Sequence, residues 1–451
     1  MSDAPARVPA TLDISHVVDH ARLGPFHLQI TLLCVLGLLL DGFDTQAVSY
    51  TGPAITRDWH IASALLGPVF GANNFGVLVG SLVLPMLADR IGRRPVLIAG
   101  TLFFGAITLL TGFAGNVEQL IAFRFAGGIG LGSIIPNATA LVNEYIPVKQ
   151  RVPVVIAFGC GMNAGGAIGG LVAAALIPHF GWRSVFFAGG VLPLLLAAAM
   201  LFLLPESLQF LTLHRKDPAR WLRRIDPALT LHPHIQYTVP EPAPRGGISP
   251  LHLFRDGRTA GTLLLWIVSF MNLLNLYLLT NWLPTITRDA GVNPTAALLV
   301  GVAFQVGGTI GTLGLAYLSR RLSFVTVLEI SFAVAAASIA LTGQPGLPLA
   351  MLFVVVFVSG WCISGSQPGV NTLAASYYPT ELRSTGIGAS LGVGRVGAIA
   401  GPVLAGFAIS LKWTNHQIFL AAAVPAVVSV LAMLGLQYQV RGETFRKMKA
   451  S

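Results

Sequence analysis

The sequence is built from apolar runs too long for a water-soluble fold. A helix needs about 20 apolar residues to cross the hydrocarbon core of a bilayer. Twelve segments of that kind lie near residues 27–50, 63–87, 95–114, 118–141, 152–178, 184–204, 260–281, 296–317, 324–342, 348–374, 385–410 and 417–437. Only 10% of the residues are charged and 54% are hydrophobic, whereas soluble domains carry roughly 25% charged residues. The expected fold is an all-α membrane protein of twelve transmembrane helices, with the lipid bilayer as its main solvent. Glycines and prolines inside the segments fit this reading, because neighbouring helices satisfy the backbone groups they free.

The positions of Lys and Arg set the orientation. With the N-terminus inside, the cytoplasmic segments hold 22 of the 28 basic residues, and the outer loops hold Arg57, Arg183, Arg288 and Lys412. Such a bias is the positive-inside signal, and it places both termini in the cytoplasm. The net charge of +10 is thus spent on topology, and no nucleic-acid partner is expected. The first 25 residues lack an apolar signal-peptide core and read as a cytoplasmic leader. Cys34, Cys160 and Cys362 fall inside apolar segments, too scattered for a disulfide framework or a metal site.

The longest polar stretch separates spans six and seven. The chain therefore reads as a leader (1–25), a six-helix bundle (26–204), a cytoplasmic linker (205–258), a second six-helix bundle (259–438) and a cytoplasmic tail (439–451). The linker histidines, His214, His232, His234 and His252, are irregularly spaced and read as solvated rather than as metal ligands. The halves repeat each other. Tyr-x-Pro-x-x-x-Arg occurs at Tyr145–Arg151 and 232 residues later at Tyr377–Arg383. Asp89-Arg90 after span two precedes Ser319-Arg320 after span eight by 230 residues. Duplicated halves around a midplane site permit alternating access.

Five intramembrane charges stand out. Asp41 and Asp44, in Asp41-Gly42-Phe43-Asp44-Thr45, are three residues apart and so share one helix face. A charge in hydrocarbon costs at least ~2.5 kcal/mol, so two acids there suggest an aqueous cavity and a proton site. The alternative is that span one ends near Leu40 and both acids are solvated. Arg124, about a third of the way down span four, needs an acid or an anionic substrate as partner; a purely structural ion pair is the other reading. Arg395 in span eleven could anchor a carboxylate bidentately, or bond helix ends. Glu329 early in span nine could pair with Arg395 or lie at the interface; the interface is favoured. Phe43, Asn272, Asn275, Gln367 and Asn371 are candidates to line a substrate cavity, with helix-to-helix packing and hydrogen bonding as the alternative. So are Asn73, Asn74, Phe70, Phe75 and Trp361.

Between spans two and three lies Asp89-Arg90-Ile-Gly92-Arg93-Arg94, a tight turn with one acid and three cations. It resembles the signature loop of the major facilitator superfamily. The usual glycine four residues before the aspartate is here Pro85, and the second-half copy at Ser319–Ser323 lacks the acid. The resemblance covers nearly the whole chain and implies two pseudo-symmetric six-helix bundles. It further implies that Asp89, Arg90, Gly92, Arg93, Arg94, Glu144, Arg151, Glu381 and Arg383 serve as a conformational latch at the inner gate. Arg124 matches the span-four Arg-x-x-x-Gly motif, which the superfamily ties to proton coupling.

Asp41-Gly-Phe-Asp-Thr45 resembles the aromatic acid:proton symporter branch of that superfamily. Pro205-Glu206-Ser207, Thr280-Asn-Trp-Leu-Pro-Thr285 and Ser366-Gln-Pro-Gly-Val-Asn371 fit the same branch. This resemblance implies import of a small aromatic carboxylate with a proton as coupling ion, no cofactor and no metal, and a monomer in the inner membrane of a bacterial-type cell. Transport of another organic anion, or proton-driven drug export, is the alternative on the same fold. A membrane enzyme would need a convergent catalytic set, which the spans lack, and a sensor would need an attached signalling domain.

Overall fold

In a computed structural model, residues 11–450 are described apart from 228, 230–234, 240–249, 256 and 380. Leader residues 1–10 and the linker's His232 and His234 lie outside these described residues. Twelve helices are long and apolar enough to cross a membrane. Spans 1–6 run Pro25–Asp58, Ser63–Ile91, Arg93–Thr111, Val117–Tyr145, Gly159–Phe180 and Arg183–Leu203. Spans 7–12 run Thr259–Asp289, Pro294–Leu318, Phe324–Thr342, Leu349–Tyr377, Arg383–Ser410 and Asn415–Gln439. The twelfth continues as one helix to Ala450.

Span 1 is the largest departure from the expected boundaries. It does not stop at Leu40 or Tyr50 but continues as a 34-residue helix to Asp58, about 50 Å at 1.5 Å per residue. Its polar second half survives because it is buried in protein, not lipid. Thr51 and Thr56 bond back to Ala47 and Pro53 carbonyls, and Ser49 Oγ donates across to the Thr280 and Asn281 carbonyls at 2.7 and 3.0 Å. Asp41 and Asp44 therefore lie near the middle of the span, 4% and 1% exposed. The reading in which both are solvated at a helix end is corrected.

Small residues let span 1 press on span 5. A Cβ at Gly42 would collide with the Met162 backbone, and one at Gly165 with Leu39, so glycine permits this approach. The two halves meet along spans 1 and 7, 2 and 11, and 5 and 8. Among the described residues, the bonds between halves lie mainly toward the end of the bundle away from the signature loop, with Cys160 to Thr309 O at 3.9 Å and Ser364 to Asn163 at 3.0 Å nearer mid-span. Asn74 donates to Ala398 O at 3.2 Å, Ser63 to Asp289 at 3.4 Å, and Arg288 to Pro53 O. Phe70 meets Trp282 edge to face at 5.4 Å.

At the opposite end, the first half carries a folded cap. A short helix, Ile14–His20, buries Ile14, Val17 and Val18. The strand before it, Thr11–Asp13, pairs in parallel with Gln236–Thr238 of the linker. Linker helices Leu208–Leu213 and Ala219–Ile225 bury Leu208, Phe210, Leu211, Leu222 and Ile225. The linker is thus only partly the solvated segment its composition suggests, because its apolar residues fall on one face of each short helix. His214 bonds locally to Phe210 O, and His252 lies 3.3 Å from Arg255.

Candidate functional site

The site begins with span 1. Asp44 Oδ2 accepts from Arg124 Nη1 at 3.0 Å, and Asp44 Oδ1 from Thr108 Oγ1 at 2.5 Å. Arg124 Nη2 also donates to Thr111 at 2.9 Å. Its guanidinium lies over the Phe186 ring, 5.4 Å from the centroid. Spans 1, 3, 4 and 6 thus enclose one buried ion pair whose side chains are 1% exposed or less. Two charges this far from water persist only with close pairing and extra hydrogen bonds, which Thr108 and Thr111 supply.

Asp41, one turn earlier, is held differently. Its neighbour Thr45 donates to Oδ1 at 3.3 Å, and no cation lies within ion-pair distance among the described residues. The charged groups whose fields reach it are Arg395, from the second half, and Asp44. Arg395 is half-buried and donates to Tyr277 Oη at 3.4 Å. Beside it on span 7, Asn272 donates to Gln367 Oε1 at 2.6 Å, and Gln367 reaches Asn371 at 3.4 Å. Asn275, on the same face of span 7, is fully buried with neither amide atom partnered. The first half thus brings buried acids, and the second brings one half-buried cation with a row of amides.

Above Asp44 is a closed pocket lined by Asp44, Thr45, Asn73, Asn74, Arg124 and Asn281, about the size of a single water. It is too small for an aromatic ring.

Other candidates sit elsewhere. Phe43 does not face the second half. It is wedged against Gly169 and Gly189 within the first bundle, because one step from Asp44 turns it to the helix-packing face. Phe75 stacks on Phe125 at 5.7 Å and is 49% exposed, a lipid-facing position. Trp361 packs on Gly311 and Gly314. Glu329 accepts from Gln437 at 3.4 Å, near the start of span 9.

The residues expected to form a latch are only partly brought together. Arg93 pairs with Glu144. Glu206 accepts from the backbone N–H groups of Arg93 and Arg94 at 2.9 and 3.0 Å, capping the N-terminus of span 3, where a carboxylate is favoured. Gly92 makes this possible: it adopts φ of 109°, and a Cβ there would strike the Glu206 carboxylate. Arg94 donates to Leu201 O at 2.6 Å, Ser207 Oγ to Glu144 at 2.6 Å, and Tyr145 Oη to Glu206 O at 2.6 Å.

Asp89 and Arg90 are exposed and make no bond among the described residues. Arg151, expected at the signature loop, instead reaches Asp19 of the short N-terminal helix at 3.5 Å. Glu381 and Arg383 are exposed on the second half. The acid seated in the turn is therefore Glu206, not Asp89, because only Glu206 follows span 6 back to the start of span 3. Sequence reasoning also missed Thr108, Thr111 and Tyr277. In an apolar span such threonines look the same as those that bond only their own helix, as Thr101 does; Thr111 does both.

Two six-helix bundles of this kind, joined by a linker, with buried charges near mid-span, define a polytopic membrane transporter. The chain belongs to the major facilitator superfamily: its family profile, "Major Facilitator Superfamily", matches residues 34–345 and 265–447. The protein is thus a multi-pass membrane transporter rather than an enzyme, and in a bacterium it resides in the inner membrane. It is 38% identical to a 4-hydroxybenzoate transporter of Pseudomonas aeruginosa, over 94% of this chain and 95% of that one. It is 36% identical to a gallate transporter of Pseudomonas putida, over 95% of each. A benzoate transport protein of Acinetobacter baylyi is 30% identical, over 94% of this chain and 92% of the relative. A solved bacterial homologue of the human lysosomal transporter Spinster, inward-facing and occupied, superposes with a TM-score of 0.70. At 16% identity over 92% of this chain and 98% of that one, it speaks for the fold alone.

Proposed function

We propose that the protein is a proton-coupled symporter that imports an aromatic carboxylic acid by alternating access. The observation that carries this reading is the arrangement around span 1. Asp44 is neutralised inside its own half by Arg124, while Asp41 has no cation bonded to it and feels Arg395 across the interface. A carboxylate substrate docking on Arg395 would withdraw that positive field from Asp41 and favour its protonation. Substrate and proton would then bind together, which is the requirement of symport. The relatives named for 4-hydroxybenzoate, gallate and benzoate support an aromatic acid as the cargo.

The gathering of inter-half bonds away from the signature loop fits a conformation open toward that loop. The excess of Lys and Arg at the same end supports the reading that this is the cytoplasmic side, with both termini there. The Arg93–Glu144–Glu206 cluster would hold the first half's gate as the halves rock. The substrate class is tested by counterflow in proteoliposomes preloaded with unlabelled compounds. Benzoate-type acids should accelerate entry of labelled 4-hydroxybenzoate, whereas sugars and lipophilic cations should not. Acceleration by lipophilic cations alone would assign the protein to drug export.

A further inference from the structure

The linker carries a dense cationic patch that neither the proton site nor the gate uses. Arg215, Lys216, Arg220, Arg223 and Arg224 fall within ten residues, all exposed. The acids beside them are Asp217 and Asp226, and Tyr237 of the paired strand also faces this region. What fixes the patch in space is aromatic packing. Trp221 stacks on Phe26 at 6.0 Å with rings 4° apart, and the Arg224 guanidinium lies over both Phe26 and Trp221 at 5.6 and 5.5 Å. Phe26 is the second residue of span 1. Arg22 precedes that span by three residues and is exposed as well.

The same end of span 1 has a lipid-facing stripe. Leu28, Leu32 and Leu36, four residues apart, are 68%, 53% and 36% exposed, as expected of a helix face turned to acyl chains. The helix Ala219–Ile225 packs on Phe26, two residues before this stripe begins, and so sits at the level where the hydrocarbon ends, its Leu222 and Ile225 buried and its arginines exposed. Cations at that depth meet phosphate groups.

From this geometry we infer that the linker helix is a docking site for anionic phospholipid headgroups at the cytoplasmic rim of span 1. Arg220, Arg223 and Arg224 supply the charge, and Trp221 holds them at headgroup depth. Cytoplasmic placement rests on the proposed orientation; the site itself does not. Headgroups bound there would tether the linker cap to the membrane while the halves move.

The test is independent of transport. Purified full-length protein is mixed with equal amounts of phosphatidylglycerol and phosphatidylcholine of the same chain length, and retained lipid is read by native mass spectrometry. Wild type should retain phosphatidylglycerol preferentially. Each charge near an anionic surface contributes about five-fold, so Arg220→Gln with Arg223→Gln and Arg224→Gln should cut the preference by roughly ten- to a hundred-fold. The triple substitution to Lys, which keeps the charge, should retain most of it and shows that loss is not unfolding. Equal retention of both lipids by wild type, or an unchanged preference in the Gln variant, overturns the proposal. So does displacement of phosphatidylglycerol by inorganic phosphate, which would mark a free-anion site, or by soluble poly-glutamate, which would mark an acidic protein partner.

Discussion

Replacing Asp44 with asparagine keeps the shape of the side chain but removes the only carboxylate among the described residues within ion-pair distance of Arg124. The amide oxygen can still accept from Arg124 Nη1, and Thr111 still accepts from Nη2. The charge, however, is left in a site where the arginine side chain is 1% exposed, and arginine cannot shed its proton. Breaking one side of a buried pair costs about 3–5 kcal/mol. Replacing Arg124 with glutamine should cost less, because an aspartate left alone can take up a proton and stay neutral while keeping Thr108. In the double variant no charge remains, so its stability should lie close to that of Arg124→Gln. The two losses would then miss additivity by about the Asp44→Asn loss itself, roughly 3–5 kcal/mol, at or above the largest couplings seen between contacting residues. The assay is a double-mutant cycle on unfolding of the detergent-solubilised protein, followed by intrinsic fluorescence. Additive losses, or an Asp44→Asn variant as stable as wild type, would refute the view that Arg124 depends on Asp44.

Three further outcomes are expected. Phe43→Ala should destabilise the first bundle by about 3–5 kcal/mol through the cavity left between Gly169 and Gly189, yet leave the order of preference among aromatic acids unchanged; a reordered preference in competition uptake would put the ring in the substrate site. Glu206→Gln weakens the cap on span 3 and should cost about 1–2 kcal/mol, seen as faster proteolysis within the linker; unchanged cleavage would contradict that role. A Ser63→Cys, Asp289→Cys pair, on side chains 3.4 Å apart, should stop transport on oxidation and regain it on reduction, and full transport by the oxidised pair would deny that the halves separate there.

The sequence makes the architecture legible because lipid is an unforgiving solvent. Each crossing must be one long apolar helix, so all twelve spans appear at close to their observed positions. Span 1 is the exception with a reason: residues 51–58 look like a loop in sequence, and they stay helical because they are covered by protein. The Asp44–Arg124 pairing was within reach, since two opposite charges in hydrocarbon must find each other. The role of Glu206 was not, because nothing local tells a helix cap from a solvated acid when the helix it caps begins more than a hundred residues earlier. Asp89 illustrates the same limit from the other side: its motif is recognisable, but a single conformation leaves it exposed. The second-half amides were legible only as types. Which of them bond each other, and that Asn275 bonds none, depends on how span 7 faces span 10.

The proposed proton site in span 1 is the centre of the account, and coupled flux tests it most directly. Proteoliposomes are given an inward proton gradient and labelled 4-hydroxybenzoate, with internal acidification read by a pH-sensitive dye. Wild type should accumulate the acid and acidify the lumen in step with it. Asp41→Asn should still exchange labelled for unlabelled acid at equilibrium but neither accumulate it nor carry protons. Gradient-driven accumulation at the wild-type level by Asp41→Asn would contradict the account and move the proton site elsewhere.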